Sequence, residues 1–430
     1  MNSQTQRKTI NVIDLFSGCG GLSEGLMQVG DQRTFLPKGL QKQRFWDKKV
    51  PKNTYNILAH VEWEAPMVRT LRANLHERWK HNKTESKRRV VHFDIQETDA
   101  LLKGCSENEN LKERFPDNHD DFLKLGLDGL VGERSVDMIV GGPPCQAYSL
   151  ASRAQDKHGM RHDYRNFLFE SFAKVVEHYQ PQLFVFENVE GLLSAKPSGQ
   201  KATELIYQHF LSIGYLILMS NEIHKALIDL SQYGVPQKRK RIIIIGLKIS
   251  NLKPSKQDLD LIYEKLLSLP NHKTLNRVFT FKDAVGHLET ASDNHQDPLH
   301  RPRFHNERDK ALFYDWITQG YNEKSTKERL DFYNKRMNKS SNHIKYRSLV
   351  MDKPSPTIVA HLYKDGLMFI HPDANQRRSI TAREAALLQS FPPDYLFPES
   401  QGATYKMIGN AVPPLFARRL GEVIYDLIKG

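Results

Sequence analysis

Cysteine is scarce in this chain: Cys19, Cys105 and Cys145 are the only three in 430 residues. An odd number at such wide spacing gives neither a disulfide framework nor a paired-cysteine zinc site, and it suits a reducing cytoplasm. Long apolar runs are missing too. None approaches the roughly 20 residues that a bilayer-spanning helix needs. Residues 1–8 are polar and lead directly into a strand pattern, so no secretory signal is expected. There is no internal repeat and no long low-complexity tract. Acidic side chains are the minority charge, 50 Asp and Glu against 62 Lys and Arg, a formal net +12. That surplus fits a polyanionic partner, most simply nucleic acid, although lysine kept for solubility gives the same balance. The length allows two or three domains, and the apolar content allows a proper core.

The most informative stretch is Gly141 to Ser149, GGPPCQAYS. Val136, Met138, Ile139 and Val140 read as a strand, which places Cys145 in the loop beyond its carboxyl end, where open α/β sheets bind ligands. The glycines permit a tight turn and the prolines stiffen the approach to the sulfur. Such a thiol is placed for attack, although a small buried filler is the commoner fate of a free cysteine. Upstream, Ile10 to Leu15 reads as a buried strand followed by a glycine turn, Gly18-Cys19-Gly20-Gly21. A helical spacing of Leu22, Leu26 and Val29 then runs to Gly30. Strand, glycine turn and helix form a nucleotide cradle, with Phe16 able to lie on a base; a tight structural turn would look the same. A second strand, Ile57 to Val61, ends at Glu62-Trp63, and acid at this tip is where such a sheet holds a ribose. A third, Val90 to Phe93, ends at Asp94-Ile95.

Further along, Leu168 opens a helix with Phe172, Val175, Val176 and Tyr179 on one face, after a basic segment holding Arg153, Lys157 and Arg161. The run Leu183 to Phe186 ends at Glu187-Asn188-Val189, a second catalytic candidate within reach of Cys145. Arg239 and Arg241 alternate before Ile242 to Ile245, so both side chains leave one face of a strand toward a common pocket. Residues 31–56 and 98–134 read as solvated additions to this core.

Six stretches now stand in order: Asp14–Ser23, Gly141–Ser149, Glu187-Asn188-Val189, Gln237–Arg241, Arg383–Pro392 and Ile408–Pro414. The set resembles the DNA (cytosine-5)-methyltransferase family, of bacterial restriction-modification or stand-alone type. Tyr148 stands where that family more often has phenylalanine. The resemblance implies an α/β fold: a Rossmann-like S-adenosylmethionine-dependent methyltransferase domain with a smaller, variable target-recognition domain. Residues 1–249 would form the first, completed by about 406–430. Residues 250–373 would form the second, with 374–405 as a bracing segment.

The resemblance also implies the chemistry. Cys145 would attack C6 of a cytosine flipped out of double-stranded DNA. Glu187 would engage N3 and the exocyclic amine, Asn188 would position that carboxylate, and Arg239 and Arg241 would hold the base and its phosphate. S-adenosylmethionine would be the donor, bound by Phe16, Gly18, Gly20, Leu22, Glu62, Trp63, Asp94 and Ile95, with Leu168, Asn410 and Val412 as further carry-overs. No metal is required. The implied enzyme is cytoplasmic, monomeric and without membrane contact, with a cognate restriction endonuclease as a functional rather than physical partner. The nearest rival is a tRNA cytosine-5 methyltransferase of the same superfamily, against which the long variable segment before Arg383 argues. A nicotinamide dehydrogenase would leave Pro-Pro-Cys and Glu-Asn-Val without work, and a non-catalytic DNA-binding protein would not need Cys145 and Glu187 together.

Overall fold

The computed structural model describes residues 9–31, 50–143, 168–196, 199–250, 256–268, 277–343, 346–364 and 366–429. Its centre is one sheet of eight strands: β1 Ile10–Leu15, β2 Tyr55–Glu62, β3 Val90–His92, β4 Met138–Gly141, β5 Leu183–Val189, β6 Tyr215–Leu216, β7 Leu227–Asp229 and β8 Lys240–Lys248. The order is β3-β2-β1-β4-β5-β8-β6, with β7 also on β8. β1 to β5 run parallel, and β8 lies antiparallel to β5. The chain builds outward from β1 in one direction and from β4 in the other. The crevice between the carboxyl ends of β1 and β4 is therefore the switch point at which such sheets bind ligands.

The strands are apolar on both faces because helices cover both. Val12, Ile13, Leu15 and Ile242 to Ile245 are wholly buried. On one side Phe172, from helix Leu168–Tyr179, packs edge-on against Phe184, Phe186 and Phe210. Helix Pro414–Lys429 returns the chain's end onto helix Gly21–Met27. Two expectations change here. The segment 98–134 is not a solvated loop: helices Thr98–Lys103, Glu109–Arg114 and Asp120–Val131 bury Leu101, Leu111, Phe115, Phe122, Leu127 and Leu130 in the main core. Its periodicity is hard to read because the first two helices are only six residues long, and Gly104 and Gly126 break the pattern at positive φ. Helix Lys256–Ser268, beyond the expected boundary at 250, also lies on the sheet. Its Tyr263 hydroxyl donates to the Ile243 carbonyl and accepts from the Ile245 N–H.

A second core gathers Phe281, Leu349, Ile358, Leu387, Phe391, Tyr395 and Tyr405 around Cys19 and Met67 of the first region. Burial pushes the Cys19 thiol well above its ordinary pKa, which suits a packing role. Helix Ala382–Leu388 starts at a capping box, Thr381 with Glu384, and Glu384 is also gripped by both terminal nitrogens of Arg378. A smaller cluster, Leu312, Phe313, Trp316, Tyr333, Tyr346 and Ile370, lies within 307–370.

One buried guanidinium joins the two cores. Arg239, 1 % exposed, donates to the carbonyls of Ile358 (3.0 Å), Gly409 (3.0 Å) and Ala411 (3.1 Å). Beside it the Gln237 side chain accepts from the Ile358 N–H and donates to Gln389, which itself donates to the Ala411 carbonyl. These groups lie where water cannot replace the lost partners. Arg239→Ala is expected to lower unfolding stability by about 3 kcal/mol. A urea midpoint indistinguishable from wild type would contradict this role.

Candidate active site

A cavity of about 840 Å³ opens at the switch point. One half is lined by Phe16, Gly18, Leu22, Glu62, Trp63, Asp94 and Ile95, and the other by Gly142, Pro143, Glu187, Val189 and Arg241. Leu168, Asn410 and Val412 also face it. Twelve of the sequence-predicted residues thereby line one cavity, although they come from places far apart in the chain.

The first half is built on an unusual backbone. Phe16 adopts φ 53°, a region a bulky residue enters only when its surroundings impose it. The turn then aims the Gly18 N–H at Glu62 Oε2, at 2.7 Å. Glu62 Oε1 accepts from the N–H groups of Trp63 (2.9 Å) and Glu64 (2.8 Å). Burial pushes the Glu62 carboxyl up to about 7, against these three backbone bonds, which pull it down. Trp63 stands 55 % exposed, an apolar ring open to a planar partner. Gly20 does not reach the wall. At φ 88° it caps the following helix, and a Cβ there would stand 2.6 Å from Leu71, so its role is the turn itself.

The second half is organised by β5 and β8. Glu187 pairs with Ile243 across the ladder, so Arg241 is its diagonal neighbour, and Arg241 Nε sits 2.8 Å from Glu187 Oε1. Gly142 is required by closeness: a Cβ there would lie 2.6 Å from Glu187 Oε2. Asn188 lies behind the wall, its Nδ2 donating to the Pro143 carbonyl at 3.5 Å. Arg239 departs from the expected pairing with Arg241. It precedes the first residue of β8, it is absent from the cavity wall, and its terminal nitrogens are committed to main-chain carbonyls. Cys145 and Tyr148 lie outside the described residues. The last described residues before them, Gly142 and Pro143, line the cavity.

Sequence reading missed several wall residues. Lys406 faces the cavity and pairs with Glu64 at 2.6 Å, and Arg114 faces it from the segment read as a loop. Neither position carries a motif. Asp14 lies at the cavity floor, 0 % exposed, with neither carboxylate oxygen hydrogen-bonded among the described residues and His60 Nδ1 3.6 Å away. No group of His, Cys, Asp and Glu arranged to hold a metal occurs among the described residues.

Comparison with known proteins identifies the family. A family model described as C-5 cytosine-specific DNA methylase matches residues 10–105 and 110–426. The chain is 32% identical to the type II methyltransferase M.Bpa9945I of Bacillus paralicheniformis, over 97% of this chain and 99% of that protein. It is 27% identical to the type II methyltransferase M.DdeI of Desulfomicrobium norvegicum, over 96% and 88%. Among solved structures, the Entamoeba histolytica methyltransferase EhMeth shares the fold with a TM-score of 0.54 at 12% identity, over 98% of this chain and all of that one. The chain belongs to the C-5 cytosine-specific DNA methylase family and is a DNA cytosine-5 methyltransferase.

Proposed function

We propose that the two halves of the cavity hold the two reactants: S-adenosylmethionine against Phe16, Glu62, Trp63 and Asp94, and a cytosine turned out of duplex DNA against Gly142, Glu187 and Arg241. The observation that carries this reading is that one continuous cavity is walled by both sets. The residues fit an adenosyl group. Glu62 is a buried acid at the tip of the second strand, Trp63 offers an open ring face, and Ile95 and Asp94 offer an apolar contact beside an acceptor. Gly18, Leu22, Leu168, Asn410 and Val412 complete that wall. When bound, the donor supplies a methyl group on a sulfonium, an electrophile that needs a carbon nucleophile in line with it.

Cytosine C5 is a poor nucleophile while its electrons belong to the ring. Addition of the Cys145 thiolate to C6 forms an S–C6 bond and moves the C5–C6 π electrons onto C5, which can then bond the methyl carbon. Loss of the C5 proton and cleavage of the S–C6 bond restore the aromatic ring and the thiolate. Glu187 hydrogen-bonds the N3 and amino edge, where charge builds up on addition. Arg241 fixes that carboxylate through Oε1. Asn188 holds the Pro143 carbonyl, two residues before Cys145 in the sequence. The residues after helix Lys256–Ser268, up to 373, would read the target sequence, braced by 374–405, and their basic side chains, including Arg301, Lys335 and Lys339, would meet phosphates. The relatives named above act as type II methyltransferases, which supports a cognate endonuclease as a functional partner. A tRNA substrate is not favoured, since the matching family model is of DNA methylases.

Transfer of labelled methyl groups to duplex DNA and to tRNA tests the reading, with incorporation expected in DNA alone. Cys145→Ser should abolish turnover yet bind S-adenosylhomocysteine as wild type does; retained turnover would remove Cys145 from the chemistry. Glu187→Gln should lower kcat by about 100-fold. Donor affinity should also depend on pH. Below about 7 the Glu62 carboxyl is protonated and cannot accept from both ribose hydroxyls, so affinity should rise as pH increases through that value and then level off. Calorimetric titration with S-adenosylhomocysteine across this range should show the rise in wild type and a flat profile in Glu62→Gln.

A further inference from the structure

The segment between β3 and β4 has no work in the mechanism above, yet it contributes Arg114 to the cavity wall, beside Asp94, Ile95 and Gln96. We propose that this segment completes the adenine end of the donor site, with Arg114 as the positioning residue that orients Asp94 to accept from a purine 6-amino group. The inference rests on the reading of this half of the cavity as the adenosyl site.

The segment is hooked onto the sheet edge at the place where that site is formed. β3 is the last strand of the sheet and would otherwise present an unpaired edge. Asn118 occupies it as a further strand would: its Oδ1 accepts from the His92 N–H at 2.8 Å and its Nδ2 donates to the His92 carbonyl at 2.7 Å. Phe115 is buried beneath, with its ring 5.2 Å from that of His92 and 5.0 Å from that of Phe93. His92 Nε2 in turn lies 3.0 Å from the Trp63 carbonyl. One hook therefore grips the backbone of the strand that delivers Asp94 and, through His92, the residue offering its ring to the adenine.

Arg114 is fixed on this hook. Its guanidinium lies over the Phe115 ring, 5.0 Å from the centroid, and stands 3.5 Å from Asp94 Oδ2 and 3.7 Å from Glu97 Oε1. Asp94 Oδ1 accepts from the Gln96 N–H at 3.0 Å. The carboxylate is thus held on both oxygens, by an amide on one side and a planar cation on the other. Each oxygen keeps a lone pair for a further donor. An exocyclic amine can use such an acceptor; a 6-oxo group cannot, because it would set two acceptors face to face. Removing Arg114 leaves Asp94 free to rotate about the Gln96 bond, so the loss should fall on ligands that carry the amine. Arg114 is partly exposed, which keeps its effect on folding small.

The test is calorimetric titration of the full chain, as wild type, Arg114→Ala and Arg114→Lys, with S-adenosylhomocysteine and with its 6-oxo analogue, S-inosylhomocysteine. Arg114→Ala is expected to weaken the adenosyl ligand about tenfold, the effect of one hydrogen bond to a charged group at the low end of its range. The inosyl ligand should hardly change, so discrimination between the two falls. Arg114→Lys should recover part of it, and the melting temperature of the free protein should stay at the wild-type value. Wild-type affinity in Arg114→Ala, or equal weakening of both ligands, would overturn the assignment while leaving the donor site itself standing. A wild-type protein that binds neither ligand would instead remove the adenosyl reading and this inference with it.

Discussion

The cavity exists because the last part of the chain is carried back across the sheet, where a buried cation and Gln389 take its carbonyls and helix Pro414–Lys429 packs on helix Gly21–Met27. Gly409 to Val412 form part of the wall, yet no ladder of the sheet secures them. The Gly409 and Ala411 carbonyls are taken by Arg239, which sits just ahead of β8 and also holds Ile358 of the second core. A guanidinium suits this task, since its fixed fork can serve several acceptors at once where an ammonium would serve them less well. The site thus depends on a residue that does not touch it. The basic stretch Gln237 to Arg241 divides its labour: Gln237 and Arg239 fasten the fold, and Arg241 reaches the cavity.

Topology then determines which chemical groups can meet. Phe16 follows β1, Glu62 ends β2, Asp94 lies just past β3, Gly142 follows β4, and Glu187 lies near the end of β5. Parallel strands bring all these ends to one edge, and the reversal between β1 and β4 opens a crevice there. The antiparallel β8 adds what a parallel neighbour could not supply in the same register, an arginine arriving from the start of its strand beside a glutamate leaving the end of another. The resulting pair at 2.8 Å lies in the cavity wall with both side chains largely buried, where a carboxylate without a partner would be costly.

The sequence made the parallel strands and their tips legible because each motif is local: an apolar run, a break, then a polar residue at a fixed place. β1, β2, β5 and helix Leu168–Tyr179 agree with that reading to within a few residues. The failures have physical causes too. Alternation puts Arg239 and Arg241 on one face only while both are in the strand, and β8 starts at Lys240. Short helices broken by glycine hide the apolar face of residues 98–131, and with it Arg114. Helix Lys256–Ser268 lies on the sheet through a tyrosine hydroxyl and a few aliphatic contacts, which no spacing rule would assign to one core over another. Lys406 was invisible for a similar reason, since its partner Glu64 is more than 300 residues away.

The central claim is that a sulfur atom bonds transiently to the target pyrimidine before the methyl group moves. Mass spectrometry of the protein incubated with S-adenosylmethionine and duplex DNA carrying 5-fluorocytosine at the target addresses it directly, since fluorine at C5 cannot leave as a proton does. The account predicts a stable protein–DNA adduct whose cross-linked peptide maps to Cys145 and which is absent from Cys145→Ser. Methylation of ordinary DNA by the same preparation without any such adduct would contradict it.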